Sequence, residues 1–119
     1  MLLLLPPALY DPHYVFFTEP VKNNIFDNSL FVRIVYSPSN VVCNGLLVSL
    51  KDSSYDDLIR IEKSILGKYK TNKSAKQVFP EIFAFKPVLP QGGYLKISGV
   101  WETAVNIGIA YKFAYPSER

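Results

Sequence analysis

The chain has 119 residues, 49% of them hydrophobic and 19% charged, and its formal net charge is +3. This composition can fill the core of one small domain, and it excludes wholesale disorder. A single Cys and a single His exclude a disulfide framework, a multi-cysteine zinc site and any metal site that needs two histidines. The unusual feature is the aromatic content, with eight Phe, eight Tyr and one Trp.

The chain begins with an apolar segment, MLLLLPP. We do not expect a signal peptide, because the segment has no basic region and two prolines end it at once. No apolar run approaches the roughly 20 residues of a membrane-spanning helix, so no membrane partner is expected. We predict an apolar N-terminal arm over residues 1–9, either flexible or packed on a neighbouring subunit, and one globular domain over residues 10–119. The unpaired Cys43 favours a reducing intracellular compartment, the cytoplasm or the nucleus.

The first half of the chain predicts strands. His13–Phe17 is a short aromatic stretch between prolines, and Leu30–Tyr36 is rich in β-branched and aromatic residues. Val41–Leu50 is a third strand region, in which Asn44-Gly45 is either a tight hairpin turn or a bulge.

The hydrophobic period then changes to that of a helix. Ser54 is a natural N-cap, and Asp56 and Asp57 fall in the first turn, where carboxylates favour the helix dipole. Apolar residues then recur at helical spacing: Leu58, Ile61, Ile65, Leu66 and Tyr69. The pattern predicts one helix over about residues 55–69.

The last part of the chain predicts strands again. Val78–Phe85 is an edge or bulged strand because Pro80 interrupts it. Tyr94–Glu102 and Ile107–Tyr115 both alternate and predict an antiparallel hairpin. The fold class is therefore β-rich α+β, with an antiparallel sheet or a small open barrel and one helix before the C-terminal hairpin.

Catalytic residues are not evident, and we predict no enzyme, no cofactor and no metal site. His13 is the only histidine, and nothing in the sequence brings it to Cys43 as a catalytic base. Asp52, Asp56 and Asp57 cluster at the helix start, where capping explains them.

The charge is unevenly distributed. Residues 1–62 carry four cations and seven anions, a net −3, whereas residues 63–119 carry nine cations and three anions, a net +6. Five lysines fall close together in the second part: Lys63, Lys68, Lys70, Lys73 and Lys76. They are either a solvated surface or a basic segment that grips phosphates.

The alternation of the last hairpin places Lys96 and Lys112 on one outward face beside Tyr94. In Leu30–Tyr36, Phe31 and Arg33 likewise share the less apolar side. Lysines next to exposed rings are what single-strand binders use, because phosphates contact the cations and bases stack on the rings. By the same alternation we expect Trp101 on the inner face, in the core.

This layout, a small β-rich domain with one helix and a basic aromatic sheet face, resembles single-strand-binding modules such as OB-folds. The resemblance is one of architecture and transfers no residues. We predict a non-enzymatic, sequence-tolerant protein that binds single-stranded nucleic acid, with DNA favoured over RNA, and that forms homo-oligomers. The alternative is a structural or assembly protein, such as a small capsid or scaffold subunit. The candidate binding residues are Phe31, Arg33, Lys63, Lys68, Lys70, Lys73, Lys76, Tyr94, Lys96 and Lys112.

Overall fold

The computed structural model describes residues 4–22, 29–69 and 72–115. The strands are β1 (Leu4–Leu5), β2 (Val15–Phe17), β3 (Val21–Lys22), β4 (Leu30–Tyr36), β5 (Cys43–Asn44), β6 (Leu46–Ser49), β7 (Ser74–Ala75), β8 (Tyr94–Glu102) and β9 (Asn106–Ala114). The α-helices are α1 (Tyr55–Lys68), which precedes β7, and α2 (Phe79–Phe83), which follows it, and two short 3₁₀ helices cover Pro7–Leu9 and Pro12–Tyr14. The architecture is a small β-rich α+β fold with one main helix.

The predicted C-terminal hairpin is confirmed, and it forms the centre of the sheet. β9 pairs with β8 from Tyr94 opposite Ala114 to Glu102 opposite Ile107. On its other side, β8 pairs with β6 along its first half and with β4 along its second half. One strand near the end of the chain therefore joins three others.

The sheet is mixed, which corrects the prediction of an antiparallel sheet. β1 runs parallel to β6, with Leu4 opposite Leu47, and β7 runs parallel to β9, with Ser74 opposite Asn106. The remaining pairings of the described strands are antiparallel. The order of these strands is open, and the sheet does not close into a barrel.

The predicted main helix is confirmed as α1. Ser54 and Asp57 form a capping box, in which each side chain accepts a hydrogen bond from the backbone N–H of the other residue. Leu58, Ile61 and Ile65 are fully buried on one stripe of the helix. The capping box therefore explains where α1 begins, and the apolar stripe explains which side of the helix packs against the core.

The predicted strand Val78–Phe85 is wrong, because this segment contains α2. Pro80 lies in the first turn of α2, where its missing N–H costs no helical hydrogen bond. The Glu62 carboxylate accepts hydrogen bonds from the N–H groups of Val78, at 2.7 Å, and Phe79, at 3.1 Å. A partner 16 residues earlier in the chain thus stabilises the start of this helix.

The strand predicted over Leu30–Tyr36 is confirmed as β4. Asn44-Gly45 is a local break between β5 and β6, not a hairpin turn. Gly45 has a positive φ of 87° and donates its N–H to Ile34, 2.8 Å away. The chain changes partner there, because β5 pairs with β4 and β6 pairs with β8.

The described part of the predicted arm, residues 4–9, packs on the domain itself. Leu5 and Pro7 are buried, and Leu4 and Leu5 pair with β6. The carbonyl of Pro7 accepts a hydrogen bond from Arg60 of α1, at 3.4 Å. Residues 1–3 lie outside the described residues.

The core lies between one face of the sheet and the two helices, and its buried residues form one hydrophobic cluster. Phe79 of α2 contacts Tyr111 and Phe113 of β9, and Phe83 contacts Phe113, with ring centroids 5.0–6.5 Å apart. α1 contacts both α2 and β9. Both helices therefore pack on the same face, and we call the opposite side of the sheet the open face.

Candidate nucleic-acid interface

The open face follows from the register of the strands. Residues directly opposite one another in neighbouring strands share a face, so the pairs of β8 with β4, β6 and β9 assign each side chain. Leu95, Ile97 and Val100 are fully buried and point toward the helices. The open face carries Leu4, Val21, Phe31, Arg33, Leu47, Tyr94, Lys96, Gly99, Trp101, Gly108, Ala110, Lys112 and Ala114.

The prediction that Trp101 lies in the core is wrong. The register between β8 and β9 shifts between Ile97 and Gly99, so that Ser98 is an extra residue in β8. Such a bulge reverses the alternation beyond it. As a result Val100 points into the core, whereas Trp101 lies half-buried on the open face.

Two rings of the open face lie over glycines of a neighbouring strand. A Cβ added to Gly108 would be 2.2 Å from Cζ2 of Trp101, and a Cβ added to Gly99 would be 2.8 Å from Cζ of Phe31. The absence of side chains at these glycines therefore leaves the space that the rings occupy. Tyr94, a third ring on this face, is also half-buried.

Two of the cations on the open face, Lys96 and Lys112, lie next to each other, and the sequence pattern predicts that they share a face. Lys96 and Lys112 are direct cross-strand partners, and Arg33 lies opposite Gly99 on the other side of β8. Like charges directly opposite one another are destabilising in a sheet. A bound anion between the two ammonium groups would relieve this repulsion.

The described strands contain a single carboxylate, that of Glu102, and it lies on the helix side. There it accepts hydrogen bonds from Tyr69, at 2.7 Å, and from Lys73, at 2.5 Å. The hydrogen bond from Lys73, and then that from Tyr69, lowers the pKa of Glu102. Burial, followed by the hydrogen bond to Glu102, raises the pKa of Tyr69 to about 12. Lys73, predicted as a phosphate contact, is therefore half-buried in an ion pair.

The other lysines of the predicted basic segment do not lie on the strands of the open face. Lys63 is exposed on α1, and Lys76 is exposed just after β7. Lys68 donates to the carbonyl of Pro12, and its ammonium lies 5.7 Å from the centroid of the Phe16 ring. Lys70 lies outside the described residues. Among the described lysines, Lys96 and Lys112 therefore lie together on the open face, whereas Lys63, Lys68 and Lys76 do not lie on its strands.

The structure separates the two residues considered for nucleophilic catalysis. The His13 side chain is 89% exposed and its Nδ1 contacts the Asp11 carboxylate at 2.9 Å. Cys43 is buried in the core. Within residues 4–22, 29–69 and 72–115, no three His, Cys, Asp or Glu side chains are grouped as metal ligands.

Comparison with known proteins identifies no relative, since no family model, curated protein or solved structure matches the chain. No helix among the described residues is long and apolar enough to cross a membrane. The geometry of the open face is therefore the basis for a functional proposal.

Proposed function

We propose that the protein binds single-stranded nucleic acid on the open face, with little sequence preference and without catalysing a reaction. One observation carries the proposal: Lys96 and Lys112 lie directly opposite each other on a face that also presents aromatic rings. No carboxylate of the described strands shares this face. A phosphate backbone supplies the negative charge that such a surface favours.

Each type of side chain has a role in this proposal. Lys96, Lys112 and Arg33 contact phosphates, which gives affinity that depends on salt but not on sequence. Phe31 and Trp101 provide platforms for stacking, which is worth about 1–3 kcal/mol per base. Stacking needs bases whose faces are exposed, so a single strand fits this surface better than a duplex.

The proposed use of an uncovered sheet face is similar to that of OB-folds. We propose DNA as the ligand, and an RNA of the same length is the comparison in the test below. We also propose that the protein acts in a reducing intracellular compartment, where the buried thiol of Cys43 stays reduced.

A titration with labelled oligo(dT) and oligo(U) at two salt concentrations tests the proposal. We expect binding that weakens steeply with salt and that quenches the fluorescence of Trp101, the single tryptophan of the chain. The double variant Lys96→Ala/Lys112→Ala should lose most of the affinity. Lys63→Ala, which removes an exposed lysine of α1, is the control and should bind nearly normally. Absence of binding to either oligonucleotide at low salt refutes the proposal.

A second candidate function is a structural or assembly role, with the open face as a protein–protein contact. It is favoured by the apolar side chains that the same face exposes, since Leu4 is 49% and Val21 is 58% accessible. This function predicts self-association that Val21→Ser weakens, and it predicts no salt-dependent binding of oligonucleotides.

A further inference from the structure

One edge of β9 is only partly paired. The N–H of Lys76 donates to the carbonyl of Ile107, at 2.7 Å, so the backbone of Ile107 points away from β8 toward β7. Backbone groups point to alternate sides along a strand, so those of Ile109, Tyr111 and Phe113 point to this same edge. In the described part of the chain, nothing accepts or donates a hydrogen bond to them there.

An unpaired strand edge is a template for another strand. We propose that the protein forms a two-fold dimer in which β9 of one copy pairs antiparallel with β9 of a second copy. The pairing would join two sheets into one. The proposal concerns the free protein and is independent of nucleic-acid binding.

The register of this pairing follows from the residues along β9. Centring the two-fold axis on Lys112 would place two lysines opposite each other, which is destabilising. Centring it on Ala110 would bring Phe113 of the second copy opposite Ile107, whose carbonyl is already bonded to Lys76. Both alternatives are therefore disfavoured.

Centring the axis on Tyr111 avoids both conflicts. Ala114, the last residue of β9, then lies opposite Gly108, the first residue beyond the part that β7 covers. Lys112 faces Ala110 on the open face, and Ile109 faces Phe113 on the helix side. The three bonded pairs at residues 109, 111 and 113 would supply about six hydrogen bonds.

The matched variants Tyr111→Pro and Tyr111→Ala test the dimer. Both lose the ring contact between Tyr111 and Phe79, whose centroids are 5.0 Å apart. Only proline also removes the outward N–H, and it leaves the hydrogen bonds to β8 in place. In sedimentation velocity without nucleic acid, we expect wild type and Tyr111→Ala to reach twice the 13.5 kDa of one chain as concentration rises. Tyr111→Pro should stay monomeric.

A wild-type protein that is monomeric at every concentration overturns the proposal. So does a Tyr111→Pro protein that still dimerises, because its interface must then lie elsewhere.

Amide hydrogen exchange measured by NMR tests the wild-type chain directly and does not depend on a variant that folds. The amides of Ile109, Tyr111 and Phe113 should be protected in concentrated samples and exchange rapidly in dilute ones. Those of Ala110 and Lys112 point toward β8 and should be protected in both. Protection of the first set that does not change with concentration contradicts β9 pairing.

Discussion

The indole of Trp101 lies over the α-carbon of Gly108 in the adjacent strand, where a Cβ would come within 2.2 Å of Cζ2. The two residues are direct cross-strand partners. The bulge at Ser98 puts the ring on the open face, and the missing side chain at residue 108 leaves the space in which it lies. Gly108 has no side chain that could bind a ligand, yet it helps determine the position of a ring on the proposed binding surface.

Gly108→Ala should displace the indole and weaken oligonucleotide binding by roughly tenfold, the value of one lost stacking contact. The emission maximum of the single tryptophan and the titration midpoint with oligo(dT) measure the two effects. Gly92→Ala is the matched control, because a Cβ at Gly92 meets nothing within 4 Å. Unchanged fluorescence in Gly108→Ala would show that the ring lies elsewhere.

Lys112→Glu should change stability and binding in opposite directions. The variant replaces a like-charge cross-strand pair with Lys96 by an attractive one, which stabilises the fold by about 0.2–1 kcal/mol. It also places a carboxylate on the proposed phosphate contact, so binding to oligo(dT) should be lost. Urea unfolding and the titration report the two quantities. Lys63→Glu makes the same charge change on α1 and should leave binding nearly intact; equal losses in both variants contradict a role specific to this face.

Glu102→Gln should destabilise the protein at neutral pH by about 1–2 kcal/mol, because it weakens the charge-assisted hydrogen bonds from Lys73 and Tyr69. The pKa of Glu102 is lowered in the folded state, so its stabilisation is complete above the ordinary value of 4.5. It is lost as the pH falls through the lowered folded pKa. Urea unfolding at neutral and acidic pH should show the difference from wild type shrinking in acid; a constant difference would contradict this origin.

Glu62 should give the opposite pH dependence. Its side chain is fully buried, and burial raises its pKa above the ordinary 4.5 despite the hydrogen bonds from Val78 and Phe79. The folded state then binds a proton that the unfolded chain has released, so stability falls as the pH rises from 4.5 through the folded pKa. Glu62→Gln should remove this slope. It should also cost roughly 1–3 kcal/mol, since an amide oxygen cannot replace both carboxylate oxygens. Unfolding curves over this range compare the two slopes.

Gly67→Ala should stabilise α1 by about 1 kcal/mol, because alanine favours the helix and a Cβ there meets nothing within 4 Å. The gain should appear as a higher thermal midpoint with unchanged oligonucleotide binding. Gly99→Ala provides the contrast, since its Cβ would lie 2.2 Å from the carbonyl oxygen of Val32 and should lower the midpoint.

Local sequence patterns were sufficient to predict the elements that are defined by residues close together in the chain. The capping residue Ser54 and the apolar stripe define α1, and strict alternation defines the C-terminal hairpin. The prediction of Lys96 and Lys112 on one face needed only the alternation before the bulge. These features depend on spacing within one element, which the sequence displays directly.

Features set by distant partners could not be predicted in this way. Ser98 has no local signature of a bulge, yet it reverses the side on which Trp101 lies. The segment 78–85 resembles a strand until the carboxylate of Glu62 caps it as a helix. Lys73 appears as one lysine of a basic run, but its ion pair forms with Glu102, 29 residues later.

The position of β8 has a consequence for how the protein is made. β4 and β6 emerge from the ribosome well before Tyr94–Glu102, the strand that both of them pair with. Until that segment is synthesised, β6 lacks its main antiparallel partner and β1 has no completed sheet to extend. Pairing between strands far apart in the chain slows folding, because the entropy of loop closure is lost before the stabilising contacts form. A nascent chain that stops before Tyr94 therefore cannot form this sheet, and it remains a target for chaperones and proteases.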